Sequence, residues 1–239
     1  MKGGDSMREL EHNVVSILYS LKGMIESHLE LARDGAGDQK ELVLQHAEEV
    51  LRRAYSQADQ ALQITKRLGK IFDPPETFLQ KDFKVCLHST WEDVLKTLKQ
   101  EHGMEGIEIL CRIPQNFPWI RCDKQDFKEI LYNLALNGVQ AMAENGKLVI
   151  RAQLAFSVKE EPFTVITLAD TGRGVPEEKL PYLFDPFFTT KNSGQGNGLG
   201  LYLVKLLAAR NGGRISVSSF EGCGATFTLE FPVASHSRQ

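Results

Sequence analysis

No proline occurs before Pro74, where two stand together in "FDPPET". Proline lacks an N–H and its ring clashes with the preceding turn, so a stretch without it is free to run as long helices and a proline pair ends them. The apolar residues then set the geometry. Leu10, Val14, Ile17, Leu21, Met24, His28 and Leu31 recur at alternating steps of four and three. Ala47, Val50, Ala54, Ala58, Ala61, Thr65 and Leu68 keep nearly the same rhythm, with Gly35 and Gly37 in "DGAGD" between the two runs. This heptad pattern predicts a helical hairpin over residues 1–72 and a second domain over 76–239. Each helix of a lone hairpin has one neighbour, so its seam stays uncovered. Pairing two hairpins into a four-helix bundle covers both seams, and a homodimer is expected. A monomeric hairpin folded back on the second domain is the other way to cover them.

Past Pro75 the texture changes to alternating strands and helices. "FKVCLHS" reads as a strand, "TWEDVLKTLKQEH" as a helix capped by Thr90, and "IEILCRI" as another strand. "DKQDFKEILYNLALNGVQAMAEN" is a long amphipathic helix. "KLVIRAQLAF", "FTVITLAD", "GRISVSSF" and "ATFTLEFP" supply further strands, with the helix "GLGLYLVKLLAARNGG" between the second and third of them. The fold class expected is α+β, a helical hairpin dimerising into a four-helix bundle and followed by an α/β sandwich whose mixed sheet carries helices on one face.

Composition excludes some functions. The 239 residues are 42% hydrophobic and 25% charged, with a net charge of −3, so no broad basic field exists to hold nucleic acid. Cys86, Cys111, Cys122 and Cys223 form no C-x-x-C pair and are too sparse for a disulfide framework, which points to reduced thiols and a cytoplasmic setting. No apolar run of about 18 residues and no signal peptide appear, so no membrane contact by this chain is expected.

"GQGNGLGLYLVKLL" puts four glycines into seven residues at the mouth of a helix. A helix begins with N–H groups that lack partners and with a dipole that favours an anion. Gly196, Gly198 and Gly200 therefore make a place that a phosphate can approach closely. A mobile surface loop is the plainer reading of the same glycines, and the P-loop spacing is absent. "LADTGRGVP" sets Asp170 at the end of an apolar strand, followed by Gly172 and Gly174. Such a carboxylate is suited to accept a hydrogen bond from an exocyclic amine such as adenine's, although a turn-initiating Asp looks the same in sequence. Asn133 and Asn137 stand four apart on one helix face, and neutral oxygen ligands suit Mg2+ as well as they suit buried hydrogen bonds.

With these residues in view, the chain resembles the sensor histidine kinases of two-component systems. "ILYNLALNGVQAM", "DTGRGVP", "LFDPFFTTK", "GQGNGLGLYLVK" and "GCGATFTLEFP" follow the order and spacing of that family's N, G1, F, G2 and G3 boxes, over about Phe78 to Pro232. The resemblance implies the ATP-binding fold shared with gyrase and Hsp90-type chaperones, and ATP with Mg2+ as cofactors. By the same resemblance, Asp170 holds the adenine amine with Thr226 nearby through water, and Gly172 and Gly174 let the backbone pass close to the base. Asn133 ligates Mg2+ with Asn137 beside the phosphates, and Lys191, Gly196, Gly198, Leu199 and Gly200 line the triphosphate. Phe187 and Phe188 anchor a lid between Phe184 and Gly196. Glu129, one turn before Asn133, has three roles open to it: polarising water, orienting the metal shell, or a solvated charge.

The family also needs a phosphoryl acceptor near the start of the first helix. "EHNVVSILYSLKG" puts His12, Leu18 and Gly23 in that register. With Leu10 and Val14 on the seam, His12 points away from the bundle core, whereas the competing His28 lies on the seam. The chain departs from the pattern at Asn13, which replaces an acid, at Val15, which replaces an Arg, at Ser16, where phosphatase activity uses Thr or Asn, and at Ile17, which replaces Pro. General-base help is worth about 10²–10⁴-fold, so a slow kinase is expected. The resemblance implies autophosphorylation of His12 followed by transfer to an aspartate of a response-regulator receiver domain. Two other readings are a degenerate kinase that binds ATP as a regulatory module, and a gyrase-like or Hsp90-like ATPase.

Overall fold

The computed structural model describes Gly23 and residues 83–142, 145–190 and 198–234. The chain divides into two compact units, Met1–Asp73 and Pro74–Gln239. The expected hairpin, His12, Asn13, Lys191 and Gly196 lie outside the described residues. In the second unit, helix α1 spans Leu87–His102, strand β1 Ile107–Arg112 and helix α2 Lys124–Met142. Strands β2, Gly146–Phe156, and β3, Pro162–Asp170, precede a short 3-10 turn at Glu177–Tyr182. Helix α3, Gly200–Arg210, and strands β4, Arg214–Ser219, and β5, Ala225–Pro232, complete the fold.

The five strands form one sheet in the order β1-β2-β3-β5-β4. β1 runs parallel to β2 and the other neighbours are antiparallel. Alternation along the strands explains why only one face is covered. β3 sends Thr164, Ile166, Leu168 and Asp170 to the buried side and leaves Val165, Thr167 and Ala169 half-exposed. β5 does the same with Ala225, Phe227, Leu229 and Phe231. Such a sheet buries one apolar face and leaves the other to water. The helices meet it with residues three and four apart: Trp91, Val94 and Leu98 of α1, Phe127, Ile130, Leu131 and Leu134 of α2, and Leu203, Val204 and Leu207 of α3 are all buried. Phe127 stands edge-on to Phe231 of β5 at a centroid distance of 5.6 Å. Cys122 is buried, which pushes its thiol well above the ordinary value, and all four cysteines are free.

The strand expected at "FKVCLHS" does not form. Val85 makes a single bridge to Ile120, which in turn bridges Val233, and the helix starts at Leu87. Leu87, Trp91, Val94 and Leu98 are buried at helical spacing, so the amphipathic period outweighs a short β-prone run. Thr90 is consequently not the cap. It lies inside the first turn, where its Oγ1 donates to the Cys86 carbonyl at 2.9 Å, and Cys86 is the capping residue without a side-chain bond.

Phe127→Ala is expected to lower unfolding stability by about 3–5 kcal/mol in urea titration, because a fully buried ring and its edge contact are lost together. Phe156→Ser at the exposed end of β2 should stay within about 0.5 kcal/mol of the parent.

Candidate functional site

Asp170 is the last residue of β3 and is buried. Leaving water costs a carboxylate dearly unless donors replace it. Oδ1 accepts the Gly172 N–H at 2.8 Å and the Ala225 N–H at 3.4 Å, both from the main chain. Burial pushes the carboxyl above its ordinary range, and these N–H groups oppose the shift. Among the described residues no donor is bonded to Oδ2. That oxygen lies on the side of Gly138 in α2, 3.8 Å from where a Cβ on that glycine would stand. Gly138 was not singled out from the sequence, yet a side chain there would press on Asp170 and on Leu148, whose Cδ1 would be 2.9 Å away.

The loop after Asp170 is held on both sides. Arg173 N–H donates to the Ala141 carbonyl at 3.2 Å, and Gly222 N–H donates to the Arg173 carbonyl at 2.7 Å. Val175 N–H donates to Ser219 Oγ, which donates to the Gly224 carbonyl at 2.7 Å. Gly172 packs against Ala141, and Gly174 against the Phe220 carbonyl. Gly224 has φ +80° and its Cα stands against the Asp170 carbonyl, so a Cβ would be strained twice, by backbone conformation and by collision. Thr226 departs from expectation. It pairs with Ala169 and shares the half-exposed face, whereas Asp170 pairs with Leu148 on the buried face. Directly opposite residues share a face and neighbours alternate, so the β5 residue beside Asp170 is Ala225.

One turn and more before Gly138, the same helix carries Asn133. Its Nδ2 donates to the Glu129 carbonyl at 2.7 Å, which turns Oδ1 toward the start of α3. There Oδ1 lies 3.1 Å from where a Cβ on Gly200 would sit. Asn137 follows on the half-buried side of α2, and Glu129 is half-buried. Leu199, buried, is the capping residue of α3, and its carbonyl accepts the first intrahelical bond, from Leu203 N–H at 2.8 Å. The N–H groups of Gly200, Leu201 and Tyr202 therefore precede the helical ladder and are free of it. Gly198, at φ +65°, lets the chain turn into α3 while touching the backbone of Phe187, which itself has φ +65°. A left-handed conformation in a bulky residue is uncommon and persists where surroundings enforce it. The Phe188 ring rests near Tyr182 at 6.1 Å.

No group of three or more His, Cys, Asp or Glu able to hold a metal occurs among the described residues. An ion beside Asn133 would thus take most of its ligands from phosphate and water, as Mg2+ commonly does. The neutral Asn133 Oδ1 is an oxygen ligand of the kind that ion takes, and the start of α3 beside it favours the phosphates that would accompany the ion. Sequence reading also passed over a polar junction at the far ends of α2 and α3. Asp123 Oδ1 caps α2 by accepting the Gln125 and Asp126 N–H groups, and Asn211, just past α3, bonds to both Asp123 and Asp126.

Residues 122–235 match the family of histidine kinase-, DNA gyrase B-, and HSP90-like ATPases. The chain is 30% identical over 223 residues to the sensor histidine kinase ZraS of Escherichia coli strain K12, covering 93% of this chain and 44% of ZraS. The chain belongs to the sensor histidine kinase family. This histidine kinase chain spans less than half the length of that curated relative. The catalytic domain of the histidine kinase ThkA superposes with a TM-score of 0.54 at 26% identity, over 63% of this chain and 94% of that one. The Acinetobacter baumannii histidine kinase AdeS has the same fold over 94% of this chain and 98% of its own, with a TM-score of 0.64 at 18% identity. In the histidine kinase fold seen here, α2 unites two half-sites. Gly138 backs Asp170, and Asn133 faces Gly200.

Because burial raises the folded Asp170 pKa above its unfolded value, folding is opposed where the group must be charged and unopposed below the ordinary value of 3.8. Asp170→Asn should therefore melt above the parent at pH 7, with the difference closing as the pH falls toward 4. Gly224→Ala should lose about 1–3 kcal/mol in urea titration, since the alanine cannot relieve both the positive φ and the collision.

Proposed function

We propose that this chain is the core of a histidine kinase that moves the γ-phosphoryl group of ATP onto His12 and then to an aspartate of a response-regulator receiver domain. The observation that supports this most is the buried Asp170, one oxygen held by two main-chain N–H groups and the other bonded to no donor among the described residues. A carboxylate prepared in this way selects an amino group on a flat ring, and adenine offers one. Asn133 and the first N–H groups of α3 supply the second half, a place for charged phosphates.

In the proposed reaction, Asp170 Oδ2 accepts from the adenine amine, and Asn133 Oδ1 would be a ligand to Mg2+, which would spread the negative charge of the triphosphate. The N–H groups of Gly200, Leu201 and Tyr202 receive phosphate oxygens, and Asn137, Lys191, Gly196 and Gly198 complete the lining. A neutral ring nitrogen of His12 attacks the γ-phosphorus in line. The N–P bond forms, the bond to the bridging oxygen breaks, and ADP leaves. The proton on the other ring nitrogen goes to solvent, because Asn13 accepts a hydrogen bond and not a proton. The phosphoryl group then passes from nitrogen to a carboxylate oxygen of the receiver. The hairpin over residues 1–72 forms the homodimer in this reading, and the setting is the cytoplasm. No helix among the described residues is long and apolar enough to cross a membrane.

Incubation with γ-labelled ATP and Mg2+ tests the reading. The parent protein should acquire label that is acid-labile and base-stable, and His12→Gln should acquire at least about a hundredfold less. Steady phosphate release without labelling would favour the gyrase-like ATPase. Binding with neither would favour the regulatory module.

A further inference from the structure

The two ends of α3 face different tasks. Its start meets Asn133, and its end meets the start of α2 through a set of directional bonds. Asn211 Oδ1 accepts the Asp123 N–H at 2.8 Å. Asn211 Nδ2 donates to Asp126 Oδ2 at 2.8 Å and to the Leu207 carbonyl at 2.8 Å. Asp126 is buried, and Arg210 Nε lies 3.6 Å from its Oδ2. One amide thus joins the last turn of α3 to the capping turn of α2.

Apolar contact alone does not fix where a helix stands along its neighbour. Leu203, Val204, Leu207 and Ala208 bury α3, but burial is non-directional and fixes its position less sharply than a hydrogen bond does. A slide by one residue moves a helix about 1.5 Å, whereas a hydrogen bond to phosphate tolerates about 0.5 Å. We infer that Asn211, acting with Asp126, is a positioning residue that sets the register of α3 against α2 and so the place of its phosphate-facing start relative to Asn133. The inference rests on the ATP-site reading and assigns a role at the opposite end of the helix from the chemistry. Asn211 touches no reacting atom. It works by removing sliding and rotation from a short rod whose other end must be exact.

The role separates phosphate recognition from base recognition, because the donors to Asp170 are Gly172 and Ala225 and its second oxygen stands beside Gly138 of α2, with no bond from α3. The test uses the full chain and two ligands, adenosine as the probe of the base pocket and Mg2+-ATP as the probe of both halves. Asn211→Ala should weaken ATP about tenfold while adenosine stays within twofold. Asp126→Ala, which removes the oxygen that accepts the Asn211 amide, should weaken ATP in the same sense. The double variant should be no weaker than Asn211→Ala alone, since both changes break one junction. Equal weakening of both ligands would assign the junction to general stability and overturn the inference. Unchanged ATP affinity in Asn211→Ala would overturn it as well, as would strict additivity. A parent protein that binds neither ligand would instead sink the ATP-site reading, and the inference with it.

Discussion

A carboxylate buried at the end of a strand depends on what replaces its water. Here the replacements are main-chain N–H groups of Gly172 and Ala225, and their placement requires β3, β5 and the loop between Asp170 and Val175 to be assembled together. Much of the sheet's design follows. β5 must lie beside β3 out of sequence order, Gly224 must pass against the Asp170 carbonyl, and α2 must present a glycine where the second carboxylate oxygen stands. Remove any of these and the charge is either unsolvated or covered. The elevated carboxyl is the residual cost of the arrangement, since two N–H groups on one oxygen do not fully replace the water lost by burial.

α2 carries this geometry along its length. Gly138 and Asn133 within it and Asp123 at its cap are spread along one helix, so the place beside Asp170, the amide facing Gly200 and the junction with Asn211 share a single ruler. A helix with fixed rise converts sequence spacing into distance, which is how Gly138 meets Asp170 while Asn133 meets Gly200.

Most of the second domain could be read from the sequence because its signals are local. β3 and β5 alternate cleanly, α2 and α3 keep a helical period, and Asp170, Asn133 and Gly200 announce themselves by glycine and amide spacing. What escaped reading depends on packing between elements. "FKVCLHS" has a strand's composition, yet Leu87 is the first residue of a buried helical stripe, a fact visible only once α1 meets its neighbours. The family resemblance set Thr226 near Asp170, but the register turns its side chain to the other face. Gly138 and Asn211 carried no motif of their own, since one matters for the space it leaves and the other for a partner many residues away.

The donors that hold Asp170 belong to the peptide chain and not to side chains. Every residue type except proline brings the same N–H, so the identity of Ala225 is free to change provided the strand keeps its course. The orientation of the Asp170 carboxylate is thus written into the path of the backbone. Sequence change around Asp170 can alter the side chains beside it and its access to solvent, while the groups that orient the carboxylate stay where they are.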